Sequence, residues 1–233
     1  GCTVAAIALK SVMESEKIDG LLRVYGCAAE EALGAKVFMA SDGLFNDLDG
    51  CLAWHSAPMA TTGHVRSAAL NDISVEFHGK SAHAGNDPWH GRSALDALEL
   101  FAHSLNLMRE HVEPTARIQY IIESGGDAPN IVPDYARMAL RIREKDRGRV
   151  DAISTWARAA ADGAAMSTQT TASFNIAFGL HDIVPNKPLI ERLYAHLQEV
   201  GVPAWTEDEQ SFARECQRNS DLPEAGLATS VSP

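Results

Sequence analysis

The sequence predicts an α/β protein in which an α/β layer is interrupted by an inserted domain of ferredoxin-like β-α-β-β-α-β order. Three observations predict it. Short apolar runs alternate with helical patterns before residue 60. Six elements in closing order then occupy residues ~70–180. After Pro185 the chain returns to amphipathic helix.

The first part reads in order as follows. Val4, Ile7, Ala8 and Val12 share one side of a helix over 3–13. Leu21 to Tyr25 and Cys51 to His55 are apolar runs of strand length, expected to be buried strands. Between them, a helix over Lys36 to Ser41 is stopped by Asp42-Gly43. This alternation suggests a largely parallel sheet, in which ligand-binding residues gather at the carboxyl ends of strands. Glu30-Glu31 and His55 fall at such ends.

Near residue 70 the period changes. Ile73, Val75 and Phe77 alternate with polar residues, as in a half-exposed strand. Gly91 to Met108 is an amphipathic helix through Leu95, Leu98, Ala102, Leu105 and Met108. A strand over Arg117 to Ile122 follows, and then one over Tyr135 to Arg143. An Ala-rich helix over Val150 to Met166 and a strand over Thr171 to Phe178 complete the set. Beyond it come a helix over Lys187 to Val200 and a shorter one around Glu209 to Gln217. The expected division is 1–69, 70–180 and 181–233, the outer parts forming one domain around the insert.

Composition narrows the function. The 233 residues are 45% hydrophobic, enough for a real core. Lys plus Arg number 20 and Asp plus Glu 31, a net charge of −11 that argues against nucleic acid or an anionic membrane surface as partner. There is no run of about eighteen apolar residues, so no membrane span is expected. The apolar opening Gly1 to Ile7 lacks a basic lead and is not read as a signal peptide. Cys2, Cys27, Cys51 and Cys216 contain no Cys-x-x-Cys pair, which points to a reduced, cytoplasmic setting.

Several residues could carry chemistry. Two adjacent carboxylates, Glu30 and Glu31, ionise together in a closed site only if a cation offsets them. One could then ligate a metal while the other takes a proton from water. The same pair also reads as a solvated acidic helix start. His55 is a possible ligand through either ring nitrogen, or an ordinary half-buried histidine. His83, in the small-residue turn Gly79 to Ala84, could offer a hydrogen bond to a tetrahedral oxyanion, or simply a local one. His64, His78, His90, His103 and His111 read as surface residues. Between two strands, Gly125 to Asp134 is turn-rich, with glycines that permit positive φ and Asn130 placed to bind a carboxylate or carbonyl. Arg143 suits a carboxylate, or is a solvent-facing strand residue like Arg141.

These motifs together resemble the aminoacylase and carboxypeptidase-G-like metallopeptidases. Tyr25 to Glu31 is similar to their G-x-P-A-E-E element, with Ala28 where proline is usual. Trp54 to Pro58 is similar to their following metal-ligand histidine. Gly79 to Ala84 with Pro88, Gly91, Arg92, Ala94 and Asp96-Ala97 resembles their lid histidine motif. Gly125 to Asp134 resembles their G-G-x-x-x-N-V-I-P-D element. The likeness covers nearly the whole chain and weakens after about Ala213.

The resemblance implies a fragment of a split catalytic α/β domain around an inserted lid and dimerisation domain. It implies hydrolysis of an amide between an acyl group and an amino acid, p-aminobenzoyl-glutamate or a related N-acyl amino acid. A dipeptidase acting on Xaa-Lys/Arg or β-alanyl peptides is the alternative within the family; a non-catalytic dimerisation module is the alternative outside it. Glu30 is implied as general base, Glu31 and His55 as metal ligands, and Asn130 and Arg143 as substrate-binding residues. His83 is implied to hold the oxyanion in a partner's site, in a homodimer or a heterodimer of related subunits joined through the lid. Two divalent metal ions are implied, manganese in this branch and zinc in neighbouring ones. The family's first metal-binding segment and last ligand histidine have no counterpart in the sequence, so an incomplete site is expected.

Overall fold

A computed structural model describes residues 1–30, 34–57, 59–63 and 67–232. Two compact units are present, one of Gly1–Glu30, Phe38–Val65 and Pro185–Pro233, the other of Glu31–Val37 and Arg66–Val184. The elements are α1 (Cys2–Ser15), α2 (Ala35–Ser41), β1 (Ala69–His78), α3 (Ala94–Met108), β2 (Arg117–Ser124), β3 (Tyr135–Glu144), α4 (Arg147–Thr168), β4 (Thr171–Leu180), α5 (Lys187–Val200) and α6 (Glu207–Asn219).

The second unit is a four-stranded sheet in the order β2-β3-β1-β4. Every neighbouring pair is antiparallel, which is the ferredoxin-like arrangement the alternating patterns predict. The side-chain period of two sends Ile73, Val75 and Phe77 of β1, and Met138, Leu140 and Ile142 of β3, to one face. There α3 and α4 cover them with Leu98, Phe101, Leu105, Val150, Ala157 and Ala161. Phe77 meets Phe101 at a ring separation of 5.9 Å. The alanines of α4 let that helix lie close to the sheet. Ser93 caps α3 by accepting from the Asp96 amide, and Asp146 caps α4 by accepting from the Arg149 amide.

The opposite face is polar. Arg141 of β3 grips Asp72 of β1 with two hydrogen bonds of 2.5 Å each. Arg137 bonds Glu123 at 2.8 Å and lies 3.8 Å from Glu76. At the β1–β4 border Gly179 packs closely against β1, and a Cβ there would stand 2.8 Å from the Asn71 Oδ1 atom, which would have to shift.

In the first unit the helices form where their periodicity puts them, but none of α1, α5 and α6 buries a residue. The two strands expected at 21–25 and 51–55 are absent; both segments run as exposed, unpaired chain. A buried parallel strand needs backbone partners and cover on both faces. Here Leu21 is 76% and Leu52 65% exposed. Residues 21–25 are held by side chains instead. Arg23 clasps Asp47 with two bonds of 2.6 Å, and the Tyr25 hydroxyl donates to the Leu44 carbonyl at 2.8 Å. The Trp54 amide similarly donates to the Cys2 sulfur at 3.3 Å. The largely parallel sheet is therefore not formed among the described residues, where all strand ladders lie in the antiparallel sheet. No described helix is long and apolar enough to cross a membrane.

Candidate active site

Two of the motifs fold into one knot at the end of the sheet where His78 pairs with Tyr135. The Gly79 amide donates to the Asp134 carbonyl at 2.8 Å. Lys80 and Arg92 exchange two backbone bonds of 2.8 Å. The Val132 amide donates to Ala82, and the Ala84 amide to the Asn130 carbonyl, both at 2.9 Å. His83 lies opposite Ile131 in an antiparallel bridge. The lid histidine motif, the start of α3 and the Gly125–Asp134 link are thus a single piece of structure.

Glycine at 79 follows from this closeness, since a Cβ there would fall 2.0 Å from the Arg92 carbonyl oxygen. Of the two linked glycines, Gly126 uses the positive φ that the sequence suggests, at +107°.

His83 and Asn130 are exposed neighbours in this knot. The His83 Nδ1 atom accepts from the amides of Gly85 and Asn86, each at 3.1 Å. Sequence reasoning missed these two residues. The signal available was the Gly85-Asn86 turn dipeptide that begins two residues after the histidine.

Arg143 is not brought to His83. It sits opposite Leu70, at the far end of β3 from Tyr135. Eight steps of an antiparallel strand separate Tyr135 from Arg143, about 27 Å at the usual rise. Arg143 and Arg141 share the polar face but differ in commitment. Asp72 binds Arg141 through a hydrogen bond and raises its pKa, whereas the buried Nε atom of Arg143 has no hydrogen-bond partner among the described residues.

In the first unit, Glu30 lies in an exposed turn that includes Ala29 at a φ of +49°. It does not end a strand as the sequence pattern suggests, and nor does exposed His55. The His55 Nδ1 atom lies 2.7 Å from the Ser56 carbonyl oxygen. A carbonyl only accepts, so Nδ1 carries the hydrogen and Nε2 keeps the lone pair that a metal would need. Carboxylate and imidazole donors suit manganese or zinc. Glu31, Pro58 and His64 lie outside the described residues. Among the described residues, no group of three His, Cys, Asp or Glu side chains gathers that could hold a metal.

The fold and the knot define the class: a lid of the peptidase dimerisation type, since residues 68–169 match the family described as the peptidase dimerisation domain. Residues 68–169 are thus a peptidase dimerisation domain of the M20 type, and the chain is similar beyond them to amidohydrolases and peptidases. It is 37% identical over 214 residues to one of the subunits of p-aminobenzoyl-glutamate hydrolase from Escherichia coli K12, covering 91% of this chain and 44% of that protein. It is 29% identical over 207 residues to the Xaa-Arg dipeptidase of Mus musculus, covering 88% of this chain and 48% of that protein. The chain thus spans about half the length of these curated relatives. A solved structure similar in fold is the aminobenzoyl-glutamate utilization protein of Klebsiella pneumoniae, with a TM-score of 0.56 and 21% identity over 82% of this chain and 51% of that one.

Proposed function

We propose that this chain is part of a metal-dependent amidohydrolase that cleaves the amide between an acyl group and an amino acid, with p-aminobenzoyl-glutamate or a related N-acyl amino acid as substrate. The observation that carries the reading is the knot that seats His83 beside Asn130 within the peptidase dimerisation domain. The 37% identity to the hydrolase subunit supports the substrate class. Residues 1–69 and 181–233 then form two parts of the catalytic domain and 70–180 the lid. The four free cysteines fit a reduced, cytoplasmic setting.

In this reading Glu31 and His55, the latter through Nε2, hold part of a site for two divalent ions, manganese first and zinc as the alternative. Ions held there would supply Lewis-acid polarisation of the scissile carbonyl and a water of lowered pKa. Glu30 takes the proton from that water as general base. His83 donates to the oxygen that gains charge, and Asn130 and Arg143 bind the amide or carboxylate of the amino acid. Because Asn130 and Arg143 lie at opposite ends of β3, one lid does not hand both to one small molecule. Two lids do, with His83 and Asn130 serving the partner's site.

The partner in this reading is a second copy or a related subunit, docked on the β2 edge. That edge strand leaves Ile121 64% exposed, and α3 beside it leaves Leu107 58% exposed.

The test is hydrolysis by the full-length polypeptide with added manganese, offered p-aminobenzoyl-glutamate, N-acetyl amino acids and Xaa-Arg dipeptides. Release of glutamate from the first supports the proposal. Cleavage of the dipeptides alone moves the chain to the dipeptidase reading, which the mouse relative favours. No turnover of any of them overturns an enzymatic role.

A further inference from the structure

We infer that the backbone amides of Gly85 and Asn86 fix the His83 ring as a neutral Nε2–H donor, so that it acts by giving a hydrogen bond and not by delivering a proton. The inference rests on the amidohydrolase reading for its chemistry, but the proton's position follows from this chain's geometry alone.

Two N–H groups converge on one ring nitrogen, each 3.1 Å from Nδ1. A nitrogen that accepts has its lone pair free, so the single ring hydrogen of neutral imidazole sits on Nε2. In the other tautomer, and in the imidazolium ion, a hydrogen on Nδ1 would face two amide hydrogens. Rotating the ring by half a turn would place Cδ2–H against the same two amides, so that the Gly85 amide loses its acceptor and the Asn86 amide keeps only its 3.3 Å bond to the His83 carbonyl. The orientation and the tautomer are therefore set together.

The surroundings hold this arrangement. The backbone of residue 83 is pinned from behind by its pairing with Ile131, and the next residue by its bond to the Asn130 carbonyl. The Asp87 amide closes the turn by donating to the His83 carbonyl at 3.1 Å. Gly85 lies against the ring edge, where a Cβ would stand 3.4 Å from Cε1. Gly85 and Asn86 are thus positioning residues, acting through His83.

The consequence for the reaction is a division of labour. His83 meets the oxygen that gains charge with an N–H group and keeps its own hydrogen throughout. The proton that the departing amine needs is the one the Glu30 carboxylate took from water. No proton passes through the imidazole, and the ring begins and ends the cycle neutral.

Long-range ¹⁵N–¹H correlation of the histidine-labelled full-length protein near neutral pH reads the tautomer directly, with His83 assigned by the signal lost in His83→Gln. The expected pattern is a pyridine-like Nδ1 and a pyrrole-like Nε2. Asn86→Pro removes one donor and should mix the tautomers, while Asn86→Ala keeps the amide and should leave the pattern unchanged. A wild-type ring protonated on Nδ1, or on both nitrogens, overturns the inference. So does an Asn86→Ala variant that shifts the pattern as far as Asn86→Pro.

Kinetics give a second arm. His83→Ala should lose about 10²–10³ in kcat, the usual cost of one oxyanion donor. His83→Gln, whose amide nitrogen donates from nearly the same place without titrating, should recover about tenfold of that loss. A Gln variant as inactive as Ala counts against a donor role. Absence of all turnover sinks the amidohydrolase reading, while the spectrum still decides the tautomer.

Discussion

Asn130 and Arg143 stand at opposite ends of β3. Asn130 accepts the Ala84 amide in the knot before the strand begins, and Arg143 pairs with Leu70 at the strand's far end. A rigid strand in the middle of a sheet fixes that separation. Any site that uses both residues on one small substrate has to draw them from two copies of the lid.

Subunit complementation follows from this separation. His83→Ala and Arg143→Ala should each be inactive alone. In mixed dimers, one of the two sites regains an intact arginine from its own chain and an intact histidine from the other. Activity of co-refolded or co-expressed mixtures should therefore reappear. If the mixtures stay as inactive as the separate variants, His83 and Arg143 serve the same chain's site.

Metal content separates the roles proposed for Glu30, Glu31 and His55. Glu30→Gln should abolish turnover with metal content near normal, because a base is lost and a ligand is not. Glu31→Gln and His55→Ala should both lower bound manganese or zinc, measured by elemental analysis of the full-length protein. Equal metal loss in all three variants would reverse the assignment.

The β2 edge gives a test of assembly. Ile121→Glu places a charge on the exposed strand edge without entering the core. It should convert a dimer to a monomer in sedimentation, leaving the circular dichroism unchanged. A variant that stays dimeric places the contact elsewhere on the lid.

Gly79 carries a stability prediction. A methyl group at this position meets the Arg92 carbonyl oxygen at 2.0 Å, so the Lys80–Arg92 pairing must open to admit it. Gly79→Ala should cost about 1–3 kcal/mol, the usual range for overpacking. A lowered denaturant midpoint at constant slope is the expected readout. By comparison, Ser93→Ala removes the α3 cap and should cost about 1 kcal/mol.

Acid should loosen α6 in a defined direction. Glu209 has its pKa held below the ordinary 4.5 by the Thr206 amide and hydroxyl, which donate to its carboxylate. A folded value below the unfolded one gives stability that is full above pH 4.5 and lost as pH falls through the folded value. Circular dichroism between pH 6 and pH 3 should show less helix loss in Glu209→Gln than in the parent, since the variant has no carboxylate to protonate there.

Residues 69–180 were legible because their patterns are periodic and local. Ile73, Val75 and Phe77 mark every second position of β1, and Leu98, Leu105 and Met108 mark one stripe of α3. Leu21 to Tyr25 and Cys51 to His55 misled because a short apolar run records only a tendency to be covered. It does not say whether a neighbouring strand exists to pair with it. Residue types at the candidate site were readable one by one, as a histidine in a small-residue turn or an arginine on a strand. Their distances from one another were not.

By itself the sequence determined the order of helices and strands over residues 69–180, the helices on either side of them, and the motifs that carry the family resemblance. Those features depend on neighbours within a few residues, where backbone geometry and hydrophobic period act directly. Only the tertiary structure decided that His83 and Asn130 share one knot, that Arg143 lies outside it, and that two backbone amides hold the His83 ring. These follow from strand register and from loops distant in sequence crossing at the sheet's end. Such contacts depend on how the whole chain closes, which no local pattern encodes.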